Sequence, residues 1–100
     1  MAKQHGFRIP QNEFGFAVYR TPTGEFVSGP VASGTPTSVN IPVDGNGAYP
    51  PGSQLAALIH SHPGGVAFPS RRDIQSSIDV GAPVQCIISD QDFECFKIQL

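Results

Sequence analysis

Four residues in one short stretch have the types and spacing of a metal site. His60 and His62 stand two apart in His60-Ser61-His62-Pro63, and Ser70 and Asp73 follow in Ser70-Arg71-Arg72-Asp73. Neutral imidazole nitrogen and carboxylate oxygen are usual ligands of a hydrolytic zinc, which typically takes three protein ligands and keeps a fourth position for water. A metal held this way acidifies water and polarises a carbonyl, so amide-bond hydrolysis is the chemistry within reach.

The elements around these residues must bring them together. Leu55-Ala56-Ala57-Leu58-Ile59 is bounded by Pro50-Pro51-Gly52 and Pro63-Gly64-Gly65. A short run that is apolar throughout predicts a central strand buried on both faces. Alternation along that strand puts His60 and His62 on one face, about 7 Å apart along the backbone. Ser70 is then the N-cap of a helix and Asp73 its N3 residue. Ile74 and Ile78, at i and i+4, are expected on the buried face, and Gly81 marks the stop. The loop 63–69, with two glycines, folds the helix start back over the strand. Ser-x-x-Asp alone is a capping-box variant, and a histidine pair at a strand end is more often surface or core. Their order after an apolar strand is what favours a shared metal ion.

His60-Ser61-His62-Pro63, then Ser70-x-x-Asp73 at the observed spacing, resembles the signature of the JAMM metalloproteases, the MPN or JAB domain family. The resemblance covers residues 13–98 and rests on five of them. It implies zinc held by His60, His62 and Asp73, with Ser70 steadying the bound water or the oxyanion. It also implies a glutamate on an early strand as the proton acceptor. Glu13, opening Glu13-Phe14-Gly15-Phe16-Ala17-Val18-Tyr19, is the best match, and Glu25 in Gly24-Glu25-Phe26-Val27 is the fallback. The family's glycine usually stands three residues after the glutamate; Gly15 stands two after Glu13. The implied fold is α/β, more closely α+β: a curved, mostly antiparallel sheet with a short flanking helix, in one domain over residues 1–100.

The family also carries a helix before the glutamate strand, and twelve residues containing Gly6 and Pro10 leave room for a short one at most. The two insertions by which eukaryotic deubiquitinases of the family grip ubiquitin have no room either. The resemblance is therefore to a minimal, prokaryotic or viral-type member, acting on a peptide or on a ubiquitin-like protein or conjugate.

Composition narrows the alternatives. With 39% hydrophobic and 14% charged residues the chain has the makings of one modest core, and eleven glycines with ten prolines point to short elements and many turns. A net charge of −2 and six scattered basic residues give no footprint for nucleic acid or an anionic membrane. Arg71-Arg72 is too short for a basic patch; it solvates the helix or touches substrate at the cleft rim. No segment has the apolar core of a signal peptide or the length of a membrane span. The expected location is the cytoplasm, or outside the cell by a route without a signal peptide. The oligomeric state is open.

The remaining elements read in order. Residues 13–20 form a strand, 21–24 a turn, 25–28 its hairpin partner, and 37–41 a third strand between Pro36 and Pro42. Loops follow at residues 44–47 and 49–52. After the metal strand and the helix come strands at 84–89 and 93–98 about Asp90-Gln91-Asp92. Cys86 and Cys95 face each other if that turn is two residues long, and read as two buried thiols rather than a disulfide. Phe14, Phe16, Phe26, Phe93 and Phe96 are expected in the core, Phe68 there or lining the cleft, and His5 in solvent.

Three functional readings stand side by side: a zinc peptidase or isopeptidase; the same chemistry in a secreted toxin or effector; and a metal-free binding module of the same fold. Scaffolds of the last kind typically lose ligand residues, and this chain keeps the set.

Overall fold

The structure, a computed structural model, describes residues 9–43 and 50–100. His5, most of the segment before Glu13 and the loop expected at 44–47 lie outside the described residues. Six strands and one helix run β1 (Phe14–Arg20), β2 (Phe26–Ser28), β3 (Ala32–Ser33), β4 (Gln54–His62), α1 (Arg71–Val80), β5 (Val84–Ser89) and β6 (Phe93–Lys97). The sheet order is β2-β1-β4-β5-β6, with β3 also paired to β1. Every pairing is antiparallel except β4 with β5, which α1 connects as a crossover. The fold is thus the expected α+β sheet with one short helix, and the apolar run of β4 lies at its centre.

The third strand differs from the expectation. Residues 37–41 do not form it; the two-residue β3 does, and Thr35 and Ser38 make an isolated bridge around Pro36 and Thr37. The Thr35 hydroxyl ties this turn by accepting from the Ser38 amide at 3.1 Å, an alternative to ladder bonding that Ser and Thr offer readily. Pro42, without an amide hydrogen, removes another ladder bond.

One face of the sheet carries the alternate residues Glu13, Gly15, Ala17 and Tyr19 of β1 and its approach. In register, Gly15 lies opposite His60, and Ala17 opposite Leu58. The core is on this face: Ala17, Tyr19, Leu58 and Ala82, with Val27, Ile41, Val43 and Leu55 packed around them. The phenylalanines are mostly elsewhere. Phe14 and Phe16 alternate onto the opposite face and are half-buried, while Phe26 and Phe93 are exposed.

Helix α1 begins and ends as its caps dictate. The Ser70 hydroxyl accepts from the Asp73 amide at 3.1 Å, and the Ser70 amide donates to Asp73 Oδ2 at 2.9 Å, a complete capping box. Gly81 closes the helix in the left-handed conformation, φ 77°. The buried stripe is not the expected one. Ile74 and Ile78 are 37% and 41% exposed, whereas Ser77 is fully buried. The helix lies beside the site with a polar stripe, Asp73 and Ser77, turned to the sheet.

Cys86 and Cys95 sit directly opposite each other in β5 and β6 and form a disulfide, with Cα atoms 4.0 Å apart. This corrects the expectation of two free thiols. The turn is tight enough, Ser89 donating to the Asp92 carbonyl, to align them across the ladder. Among the described residues no helix is long and apolar enough to cross a membrane.

Candidate metal centre

His60 and His62 leave the end of β4 on the core face, and their rings lean together, centroids 4.7 Å apart. The Nε2 atoms are 2.9 Å apart. Asp73 Oδ2 lies 3.3 Å from Nε2 of His60 and 3.1 Å from Nε2 of His62. Three ligand atoms thus converge from two elements, and the three residues could hold a metal ion. Tetrahedral ligands at 2.0–2.1 Å from zinc stand about 3.3 Å from one another, so the triangle already has close to the right edge. Two imidazoles and a carboxylate suit zinc and other divalent ions that favour nitrogen and oxygen.

The surroundings set the donor atoms. His62 Nδ1 is 2.9 Å from the Val66 carbonyl, which can only accept, so Nδ1 carries the hydrogen and leaves Nε2 bare in the neutral ring. The 63–69 loop, folded back by Gly65 donating to the His62 carbonyl, places that acceptor. Burial alone would raise the Asp73 carboxyl; hydrogen bonds from His60, His62 and the Ser70 amide outweigh it and hold the group below the ordinary carboxylate range. The hydrogen bond to Asp73 raises His62 above its ordinary value, against the opposing effect of burial.

Glu13 precedes β1 and is 8% exposed. Its backbone is fixed by donation to the Thr35 carbonyl and acceptance from Gly34. Continuing the Gly15–His60 register by two residues sets Glu13 across from His62. Ser61, between the two histidines and on the other face, is fully buried, and its hydroxyl accepts from the Phe14 amide at 2.9 Å. That bond pins the chain one residue after Glu13. Burial raises the Glu13 carboxyl, partly offset by the attraction of His60 and His62.

Glu25 does not enter the site. It pairs with Thr21 at the far end of β1, about 26 Å from Glu13 at the strand rise, and is exposed. Ser70 lines the cleft, exposed at the helix start, and caps α1 at the same time.

A cleft of about 590 Å³ opens over these residues. One wall is the 36–43 loop, with Val39, Ile41 and Val43 inward; the other is the α1 stripe Arg72, Ser76, Asp79 and Val80; Leu58, His60 and Gln85 are on the floor. Arg72 is thus at the cleft. Phe68 is not among its lining residues and instead packs edge-on against Phe96, centroids 5.2 Å apart. Sequence reading missed Gln85 and Ser77, whose only signal was a polar residue inside an otherwise apolar strand and an unremarkable helix serine.

Fold and cluster together define a small α+β domain with a candidate metal centre on the core face of its sheet. The family model of prokaryotic homologs of the JAB domain matches residues 17–99, and the chain belongs to that family. The matched span contains His60, His62, Ser70 and Asp73, while Glu13 precedes it. Comparison with curated proteins gives no match, and comparison with solved structures gives none.

Proposed function

We propose that this domain is a zinc-dependent metallopeptidase or isopeptidase, cleaving an amide or isopeptide bond in a peptide or a ubiquitin-like protein or conjugate. The observation that carries the reading is the convergence of His60, His62 and Asp73 beside a buried carboxylate, Glu13, in an open cleft. His60, His62 and Asp73 would hold the ion. Zinc, when bound, supplies a Lewis acid and a water of lowered pKa.

The chain's own groups do the rest. Glu13, buried and shifted upward, takes a proton from the attacking water and later delivers it to the leaving amine. The Ser70 oxygen accepts from the Asp73 amide through a lone pair, which leaves its O–H free to donate to the carbonyl oxygen as negative charge develops there. The apolar loop wall and Leu58 hold an extended substrate chain against the floor and exclude water, and Arg72 contacts substrate at the rim. Neither cysteine takes part, since both are in the disulfide.

The test is hydrolysis of a panel of peptides and ubiquitin-like conjugates by the zinc-loaded protein. Cleavage lost on chelation, restored by zinc, and absent in Glu13→Ala that still binds zinc supports the reading. Cleavage that survives chelation sinks it.

The disulfide favours a second setting for the same chemistry, a toxin or effector that works outside the reducing cytoplasm. Growth arrest on expression with export to an oxidising compartment, relieved by Glu13→Ala, distinguishes it from a housekeeping enzyme.

A further inference from the structure

We infer that Gln85 is a positioning residue of the metal centre: through the Asp73 backbone carbonyl it fixes the helix turn that presents the Asp73 carboxylate to the histidines. The inference rests on the metal reading of His60, His62 and Asp73.

Gln85 is an amide in the middle of the sheet, 2% exposed. It stands in β5 opposite Leu58, in the parallel register that also sets Ile87 opposite His60. Its side chain therefore leaves the sheet on the histidine face, two residues behind the ligands. There Nε2 donates to the Asp73 carbonyl at 2.9 Å and also to the Ser77 hydroxyl. The two hydrogens of one amide thus grip α1 at two points one turn apart, both on its sheet-facing stripe.

This grip matters because the usual means of docking a helix is weak here. A surface helix is normally held by an apolar stripe. In α1 the isoleucines are turned outward, and the only buried residue is Ser77. The helix end is held by Gly81 and Ala82, which donate to the carbonyls of Ile78 and Ser77. The helix start carries the ligand, and among the described residues two ties join it to the sheet: the Asp73 carboxylate against His60 and His62, and the Gln85 amide, which alone holds the backbone of that turn. A buried amide without a partner is costly, so the bonds in turn keep Gln85 and the helix in one arrangement. Groups that orient a ligand in this way typically account for ten- to a hundredfold in metal affinity.

The experiment is zinc affinity, measured by competition with a chromophoric chelator, for wild type, Gln85→Met, Gln85→Leu and Ile98→Ala, each with its melting temperature. Methionine keeps the length and loses the donor; leucine is the second variant should methionine fold poorly. Ile98, 8% exposed at the end of β6, controls for lost stability alone. The expected result is a ten- to a hundredfold loss in the folded Gln85 variant, and affinity within about twofold of wild type in Ile98→Ala at a comparable fall in melting temperature. A folded Gln85 variant that binds as wild type does, or an Ile98→Ala that weakens equally, overturns the positioning role and leaves the metal site standing. Wild type that binds no zinc overturns the site and this role with it.

Discussion

Gly15 of β1 pairs directly with His60 of β4, and a Cβ at Gly15 would lie 2.8 Å from the Ile41 side chain and 2.9 Å from the Ile59 carbonyl. The bare backbone lets Ile41 rest on the sheet beside the histidine, which brings the loop wall of the cleft up to the ligands. Glycine at this position shares its face with Glu13, two residues earlier, and this is the structural sense of the spacing seen in the sequence. Gly15→Ala should cost about 1–3 kcal/mol, as overpacking does, and should lower kcat/KM, because both Ile41 and the Ile59 carbonyl, one residue before His60, must give way. Denaturant unfolding and steady-state kinetics check both. An unchanged midpoint would mean the loop yields freely.

The cluster predicts a particular pH dependence for protein stripped of metal. His62 is raised above its ordinary 6.5, so its contribution is present below 6.5 and lost as pH rises through the higher folded value. Asp73 is lowered from 3.8, so its contribution is present above 3.8 and lost as pH falls toward the depressed value. These are two views of one interaction, complete between about pH 4 and 6.5. Glu13, raised by burial, adds a loss on the alkaline side of its ordinary 4.5. Metal-free protein should therefore melt lower at pH 8 than at pH 6. Zinc should raise the melting temperature more at pH 8 than at pH 6, because it competes with the proton that the raised His62 holds more firmly at the lower pH. Thermal melts with and without chelator decide it, and a melting temperature that does not change between pH 6 and 8 in the stripped protein contradicts the proposed balance.

The Cys86–Cys95 bridge closes a hairpin of nine-residue separation. For a loop of that size the chain-entropy model gives about 2–3 kcal/mol. Reduction, or Cys95→Ser, should lower unfolding stability by roughly that amount. Zinc affinity should stay unchanged, because neither sulfur touches the site. Alkylation under native and reducing conditions, read by mass spectrometry, counts the thiols. Two free thiols before reduction would remove the bridge and with it the argument for an oxidising compartment.

Much of this was legible in the sequence because it depends on local rules. The period of two in β4 placed His60 and His62 on one face, the apolar run made that strand central, and Ser70, Asp73 and Gly81 marked both helix ends. What the sequence did not reveal depends on three-dimensional packing. Ile74 and Ile78 have helical spacing and yet face solvent, because the helix docks through Ser77 and Gln85 rather than through an apolar stripe. Residues 37–41 have strand composition, but the Thr35–Ser38 turn and Pro42 divert them to the cleft wall. The phenylalanines of β1 alternate away from the core, since the same face must carry Glu13 and Gly15. The disulfide was hidden because nothing in the residues themselves distinguishes a bridged pair from two thiols.

The proposed function requires that His60, His62 and Asp73 hold a metal while Glu13 does not. Elemental analysis of protein purified without a metal-binding tag, beside His62→Ala, Asp73→Ala and Glu13→Ala, tests it most directly. The expected result is close to one zinc per chain in wild type and in Glu13→Ala, and none in the other two. Wild type that takes up no zinc even after incubation with it, or ligand variants that retain it, would rule out this metal centre and leave Ser70 and Asp73 as a helix cap alone.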